Sequence, residues 1–265
     1  MYHMKTIQMK IIQINLKSKL IKYYIMNIFL LYKPSGMTSK DFADIIKKKE
    51  NLQKICFCGR LDPLARGKML LLGDSMCKKM NNYINLEKVY QFEICIGYKT
   101  DTDDPMGIIQ EINTDIDITT VYDLITNYIK NMNMNIYQKF HKYSSIIVDG
   151  KPMWLHSMEN KIIENPKHMV SIKKIKFIKK IVRNFDIFKN SINNIISSIP
   201  KKHNFRQELI INQWNNIICS KIYSIKFEFT VTSGFYIRQF IRDLSDAINI
   251  PLMVYDINRT KIIIK

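Results

Sequence analysis

The chain has little of what staples a fold from outside. Its five cysteines (Cys56, Cys58, Cys77, Cys95 and Cys219) include no C-x-x-C pair, which argues against a zinc ribbon and against a disulfide framework. The odd count, with no secretory leader, points to an intracellular, reducing compartment, cytoplasm or nucleus, with an organelle left open. No apolar run reaches membrane-spanning length. The nearest, YYIMNIFLLY at 23–32, is short, interrupted by Asn27, and reads as a buried strand. Acid is missing from the start: residues 1–22 carry five lysines, and the first acidic residue is Asp41. That stretch is a basic arm, a targeting peptide without arginine, or an extension upstream of a start at Met26. No internal repeat is visible.

What is present is enough for a packed core. The 265 residues are 46% hydrophobic and 11% aromatic, which offsets chain entropy and excludes wholesale disorder. The formal net charge is +18. Such a field suits a polyanion bound by counterion release, although a solvated lysine-rich surface would give the same number.

Periodicity places the elements. In TSKDFADIIKKK, Thr38 or Ser39 caps a helix with Phe42, Ile45 and Ile46 on its apolar side. Asp74 or Ser75 opens a second, with Met76, Cys77, Met80, Tyr83 and Ile84 on one face. From Lys88, alternation puts Tyr90, Phe92, Ile94 and Ile96 on one side of a half-buried strand, opposite Gln91, Glu93 and Cys95. Ile225, Phe227, Phe229 and Val231 mark another strand, which turns at Ser233-Gly234. Ile237, Phe240, Ile241 and Leu244 then follow helical spacing. Within 182–220, Ile192, Ile195, Ile196 and Ile199 suggest a short helix after Asn190-Ser191, halted by Pro200, with PKKHNFR as an exposed basic loop. Strands and helices intermix without regular alternation, which predicts an α+β fold.

The loop FCGRLDPLARG (57–67) presents Asp62 before Pro63, which disfavours the α conformation, and Gly59 and Gly67 permit tight bends around it. Local spacing alone favours an aspartate bonded to its own turn over a nucleophile. Arg238 and Arg242 lie four apart on the predicted helix, a like-charge pair that is either a solvated basic face or one satisfied by anions such as Asp62 and an RNA phosphate.

The wider pattern changes that balance. KPSGMTS (33–39), GRLDPLARG, KVYQFEICIGYKTDTDDPMG, YSSIIVDGKPMW and TSGFYIRQFIRDL occur in the order found in the TruB family of tRNA pseudouridine synthases, which the chain resembles from residue 31 to about 260. The resemblance implies a pseudouridine synthase catalytic fold, with a central, mostly antiparallel mixed sheet flanked by helices and loops. It further implies an isomerase that detaches uracil from ribose, turns it and rejoins it through carbon 5, with no cofactor and no metal. Asp62 would be the nucleophile, a role that needs the ionised carboxylate, which a guanidinium favours; Arg238 would supply it. Tyr90 would stack on the target base and assist proton removal, or serve simply as a core tyrosine. Lys33 and Pro34 would build the floor of the site. Phe57, Arg60, Leu61, Asp101, Tyr236 and Ile257 would contact substrate, a uridine flipped from its stack. The implied partner is the T-stem loop of tRNA, at uridine 55, with no membrane and a monomeric enzyme.

Several positions depart from the family pattern. Phe57 stands where many members have histidine. Arg60 gives the spelling GRLD of the RluA and RsuA branches, which opens the alternative of a synthase acting on ribosomal or other RNA. A non-catalytic RNA-binding or folding factor is the other alternative, against which the full Asp, Tyr and Arg set argues. Ile147 replaces a frequent lysine, and Asn258 breaks a double arginine. The expected organisation is a basic extension over 1–25 and a catalytic domain over 26–265, with 182–220 as an insertion and no carboxyl-terminal PUA domain. The basic arm and the insertion would supply RNA contacts.

Overall fold

The computed structural model describes residues 27–144, 146–159, 161 and 165–264; the basic extension therefore lies outside the described residues. The first half contains β1 (Ile28–Lys33), α1 (Ser39–Lys49), β2 (Ile55–Phe57), β3 (Arg66–Gly73), α2 (Asn81–Ile84), β4 (Glu87–Ile96), β5 (Tyr98–Thr100), β6 (Ile109–Ile112) and α3 (Ile118–Asn131). There follow β7 (Asn135–Lys139), β8 (Ile147–Val148), β9 (Lys151–Pro152), α4 (Met153–Met158), β10 (Lys167–Asn184), α5 (Phe185–Ser198), α6 (Gln207–Asn215), β11 (Lys221–Val231), α7 (Ile237–Ile248) and β12 (Leu252–Ile263).

The central sheet runs β1-β3-β12-β4-β11-β10-β7, with β2 added to β3. Its pairs are antiparallel except β12 against β3, which run parallel at Asn258–Arg66 and Arg259–Gly67. The expected mixed, mostly antiparallel sheet is the one observed.

Position in the sheet explains one difference from the periodicity reading. β4 is an interior strand between β12 and β11 with packed elements on both faces of the sheet: Phe92 and Ile94 are fully buried, and so is Cys95 on the other side. Alternation marks two faces but cannot say that both are packed. On one face, Phe92 meets Phe229 edge-on, with ring centroids 4.9 Å apart, in a core shared with α1, α3 and α7. On the other, Cys95, Tyr98 and Met253 pack with Phe185, Phe188, Ile192 and Trp214 of α5 and α6.

That second core corrects the reading of 182–220. Asn184 caps α5 by accepting from the Asp186 and Ile187 amides, so the helix starts at Phe185, ahead of Asn190, which sits in its interior. α6, with Trp214 wholly buried, was not expected at all. Two smaller corrections concern the helices of the first half. Thr38 caps α1 as expected, but Ile45 is exposed while Phe42 and Ile46 are buried. The 74–84 segment is a 3-10 turn over Asp74–Lys79 followed by the single turn of α2. Asp74 has φ +47° and spends its carboxylate on the amides of Gln53 and Lys54 rather than on a helix start.

Candidate active site

Asp62 stands on the connection between β2 and β3, and the opening motif braces that connection along its length. Ser39 in the first turn of α1 donates to the Leu61 carbonyl at 2.7 Å and accepts from the Leu61 amide at 2.8 Å. The Gly36 amide donates to the Pro63 carbonyl at 2.9 Å, and the Lys33 ammonium donates to Ala65 at 2.7 Å and to Pro34 at 2.8 Å. Backbone groups on both sides of Asp62 are thereby fixed, which is the physical use of a Lys, a Gly and a Ser at those spacings. Local sequence cannot show this, because the bonds onto that connection come from residues at least 22 positions away.

The side chain of Asp62 is about one-third exposed (36%) and accepts from the Arg238 guanidinium at 2.8 Å. Arg238 enters from the first turn of α7, is itself buried, and also faces the Asp104 carboxylate at 3.6 Å and the Thr102 carbonyl at 3.3 Å. The start of α7 is held by an exchange in which the Tyr236 amide donates to the Gln138 amide oxygen (2.8 Å) and the Gln138 amide nitrogen donates to the Tyr236 carbonyl (3.0 Å).

The TDTDD loop supplies the counter-charges. Asp104 is anchored by the Thr102 hydroxyl and the Met106 amide, and burial pushes its carboxyl up to about 6 against the pull of Arg238. Asp103, at φ +60°, takes two bonds from Arg242 (2.8 and 2.5 Å) and one contact from His141 (2.8 Å). Burial and the neighbouring arginines drive His141 well below its ordinary range, so the ring is neutral. Arg242 thus meets a carboxylate of the protein itself, where an RNA phosphate was expected.

A cavity of about 750 Å³ opens beside Asp62, inside the range of roughly 300–1,000 Å³ typical of small-molecule sites. Asp62, Tyr90, Arg238, Tyr236, Leu61 and Ile257 all line it, as do Phe57 and Arg60. The Arg60 guanidinium lies 5.1 Å over the Phe57 ring. Lys33, Pro34 and Asp101 are not among the lining residues. Lys33 is fully buried behind the loop, and Asp101 is taken up by Arg206, Tyr143 and the Ile108 amide. Arg206, in the expected basic loop, is therefore an internal partner of the TDTDD loop.

Three lining or supporting groups escaped the sequence reading: Asp104, Lys88 and Arg259. Lys88 is buried, donates to the Ile84 carbonyl and the Ser233 hydroxyl, and is pulled down to about 8 by burial and by Arg259. Asp104 was visible only as one of three acids in a loop, and Arg259 only as the survivor of a broken arginine pair.

Burial also lowers Lys33 from the ordinary 10.5 to about 7, opposed by the attraction of Asp62. In the unfolded chain the amine keeps its proton to pH 10.5, whereas in the fold it releases it above about 7. The unfolded state binds more protons between those values, so this group makes stability rise with pH across that window and removes the gain as pH falls through 7. Urea unfolding between pH 7 and 10 should show the rise, at up to about 1.4 kcal/mol per pH unit. Lys33→Met should flatten it. An unchanged difference between pH 7 and pH 10 in the variant would show that Lys33 keeps its proton in the fold.

Known proteins with related sequences extend these findings. A tRNA pseudouridine synthase B from Mycoplasma mycoides subsp. mycoides is 33% identical over 162 residues, 61% of this chain and 55% of the relative. The Bacillus subtilis protein of that name is 31% identical over 151 residues (56% and 48%), and the one from Borrelia garinii subsp. bavariensis 29% over 233 residues (88% and 68%). The chain spans about half the length of the first two. The fold resembles that in a solved Cbf5-Nop10-Gar1 complex, with a TM-score of 0.52 at 14% identity over 89% of this chain and 49% of that one. The family model described as TruB family pseudouridylate synthase (N terminal domain) matches residues 47–191, a span running from the end of α1 through the Asp62 loop, β4 and the TDTDD loop into α5; the chain belongs to that family.

Proposed function

We propose that the chain is a tRNA pseudouridine synthase that isomerises uridine 55 of the T loop, with Asp62 as nucleophile. The observation that carries this reading is the Asp62–Arg238 ion pair at the mouth of a cavity of about 750 Å³. A carboxylate paired with a buried guanidinium is oriented by it, and this one lines a space large enough for an extruded base.

The chemistry needs no exchange of electrons. The bond between uracil N1 and ribose C1′ breaks, with Asp62 bonding to the sugar carbon or to the ring while the base is loose. The ring turns, C5 bonds to C1′ as the bond to Asp62 breaks and returns its electron pair to the carboxylate, the C5 hydrogen departs as a proton, and N1 takes one up. Leu61 and Ile257 give the flipped base apolar walls, and Tyr90 brings a phenol oxygen that can take up the C5 proton as its own hydrogen passes to water. Arg60 stacked on Phe57 offers a cationic plane at the cavity, a surface on which a nucleobase of the RNA can rest.

Charge outside the cavity supports an RNA partner. Lys173, Lys174, Lys176, Lys179 and Lys180 of β10 are exposed and make no ion pair among the described residues. In 182–220, by contrast, Lys189, Lys201 and Lys202 each meet an acid. β10 is therefore a better candidate than that segment for phosphate contacts. Its first residues lie against the cavity wall, since Ser171 and Thr232 exchange hydrogen bonds at 2.9 Å.

Incubation with a T-loop transcript tritiated at uracil C5 tests the reaction. Release of tritium in proportion to pseudouridine formed is the expected result; intact binding with no release would leave the RNA-folding factor. Mapping pseudouridine in total RNA from cells without the protein should show loss at position 55 of tRNA, and loss only in ribosomal RNA would overturn the tRNA assignment.

A further inference from the structure

We propose that Arg259 is a positioning residue that fixes the Tyr90 hydroxyl and the nucleophile loop as one unit, an inference that rests on the pseudouridine synthase reading. Arg259 stands directly opposite Tyr90 in the β12–β4 register, and the register slips between Arg259 and Lys261. A bulge of that kind re-aims a side chain. On its other side β12 approaches β3 so closely that a Cβ on Gly67, which has φ +125°, would lie 2.4 Å from the Arg259 carbonyl oxygen. Only glycine permits that approach, and it seats Arg259 between the tyrosine and the loop.

The guanidinium is spread over four partners. It donates to the carbonyls of Lys68 (2.6 Å), Gly59 (3.1 Å) and Arg60 (3.2 Å), and reaches the Tyr90 phenol oxygen at 3.4 Å. Arg259 is 1% exposed and has no carboxylate within ion-pairing distance among the described residues. A buried cation of this kind costs more than a packed apolar side chain of the same volume, so stability alone does not account for it. What the guanidinium adds is geometry: a rigid plane of donors that no aliphatic side chain or single ammonium reproduces.

The donor-only character of arginine has a consequence for Tyr90. The phenol oxygen can only accept from Arg259, so its own hydrogen must point away from the guanidinium. Negative charge on that oxygen, while the C5 proton moves, faces a cation screened from water. The same guanidinium holds the carbonyls of Gly59 and Arg60, three and two residues before Asp62. Nucleophile and proton acceptor are thus set by one side chain, and a displacement of about 1 Å at either can cost on the order of 100-fold in rate.

The test uses the full chain with Arg259→Lys, alone and combined with Tyr90→Phe, in single-turnover tritium release over a range of RNA concentrations. Lysine keeps the charge and loses the fork. The single variant should lose about 100-fold in maximal rate, with half-saturation by RNA within about threefold of the parent. In the Tyr90→Phe background, the same change should cost less than about tenfold, because one of the two groups that Arg259 sets is already gone and only its hold on the Asp62 loop remains to be lost. Equal losses in both backgrounds, or no loss in the first, overturn the proposal.

Where Tyr90→Phe leaves no measurable turnover, the ring-carbon resonance of Tyr90 in 13C-tyrosine protein serves instead. It should shift in Arg259→Lys and not in Arg66→Lys, a change on the neighbouring strand; no shift in the former overturns the contact. If Arg259→Lys does not fold, the guanidinium resonances of Arg259 in Tyr90→Phe report the same contact from the other side, and unchanged resonances there overturn it. Failure of the parent protein to modify any RNA would count against the proposed function, while the resonances would still decide the contact.

Discussion

Replacing Asp62 by Asn is expected to abolish isomerisation, by about four orders of magnitude or more in single-turnover tritium release, while the protein stays folded and continues to bind RNA. Asparagine has nearly the same shape, and its oxygen can still accept from Arg238. What disappears is the negative charge and with it the nucleophile, and losing a covalent catalyst costs far more than losing a contact. The side chain is 36% exposed, and Arg238 retains Asp104 as an anionic neighbour. Stability should therefore change by less than about 1 kcal/mol, the range of partly exposed ion pairs. Affinity for the T-loop transcript should stay within about threefold. Isomerisation persisting within tenfold of the parent would remove Asp62 from the reaction and return it to the role of a turn residue.

Replacing Arg238 by Met should damage both activity and fold, and the two losses can be separated. Methionine fills the buried channel at the start of α7 but supplies no charge, leaving the 3% exposed Asp104 without its cation. Removing one partner of a buried pair costs about 3–5 kcal/mol, and losing the group that holds Asp62, the proposed nucleophile, should lower the rate by about 1,000-fold, at the upper end of what one preorganised donor contributes.

The pH dependence gives the loss a signature. The Asp104 carboxyl is already raised to about 6, with Arg238 restraining it; without Arg238 it rises further. A carboxyl whose folded value lies above its unfolded value binds more protons in the fold, so stability is gained as pH falls through the folded value and lost as pH rises. Arg238→Met should accordingly be more stable at pH 5 than at pH 7. Adding Asp104→Asn should recover part of the lost stability, by about 1–2 kcal/mol, without restoring turnover. Recovery of turnover in the double variant would mean that Arg238 serves only to neutralise Asp104.

The same network shows how far the sequence could be read. The Arg238–Arg242 spacing admitted paired anions, and the anions exist, but the sequence could assign only one correctly. Arg238 meets Asp62; Arg242 meets Asp103, from a loop about 140 residues earlier. Asp101, Asp103 and Asp104 are chemically alike, and their different duties follow from which arginine the folded TDTDD loop turns each toward. Lys33 was expected in the floor of the site; in the structure its side-chain nitrogen faces two backbone carbonyls, one of them on the Asp62 loop.

Periodicity succeeded where one element decides its own surroundings. It located α1, the β11–turn–α7 unit and the apolar side of β4. It failed where a distant element decides: the second face of β4 is buried because α5 and α6 come to cover that part of the sheet. α6 itself escaped notice because Arg206, at φ +59°, precedes it where a capping Ser, Thr or Asp would have announced a helix.

By itself the sequence determined the fold class, the family motifs in order, and the identity of the carboxylate, phenol and guanidinium that now share one cavity. Those rest on residue type and local spacing, which covalent order carries directly. The tertiary structure alone decided that the opening motif braces the Asp62 loop, that Asp103 and Asp104 divide the two arginines, and that Arg259 links Tyr90 to the Asp62 loop. Each of these depends on strand register and on backbone groups brought together across long separations, and such contacts are fixed only when the whole sheet closes.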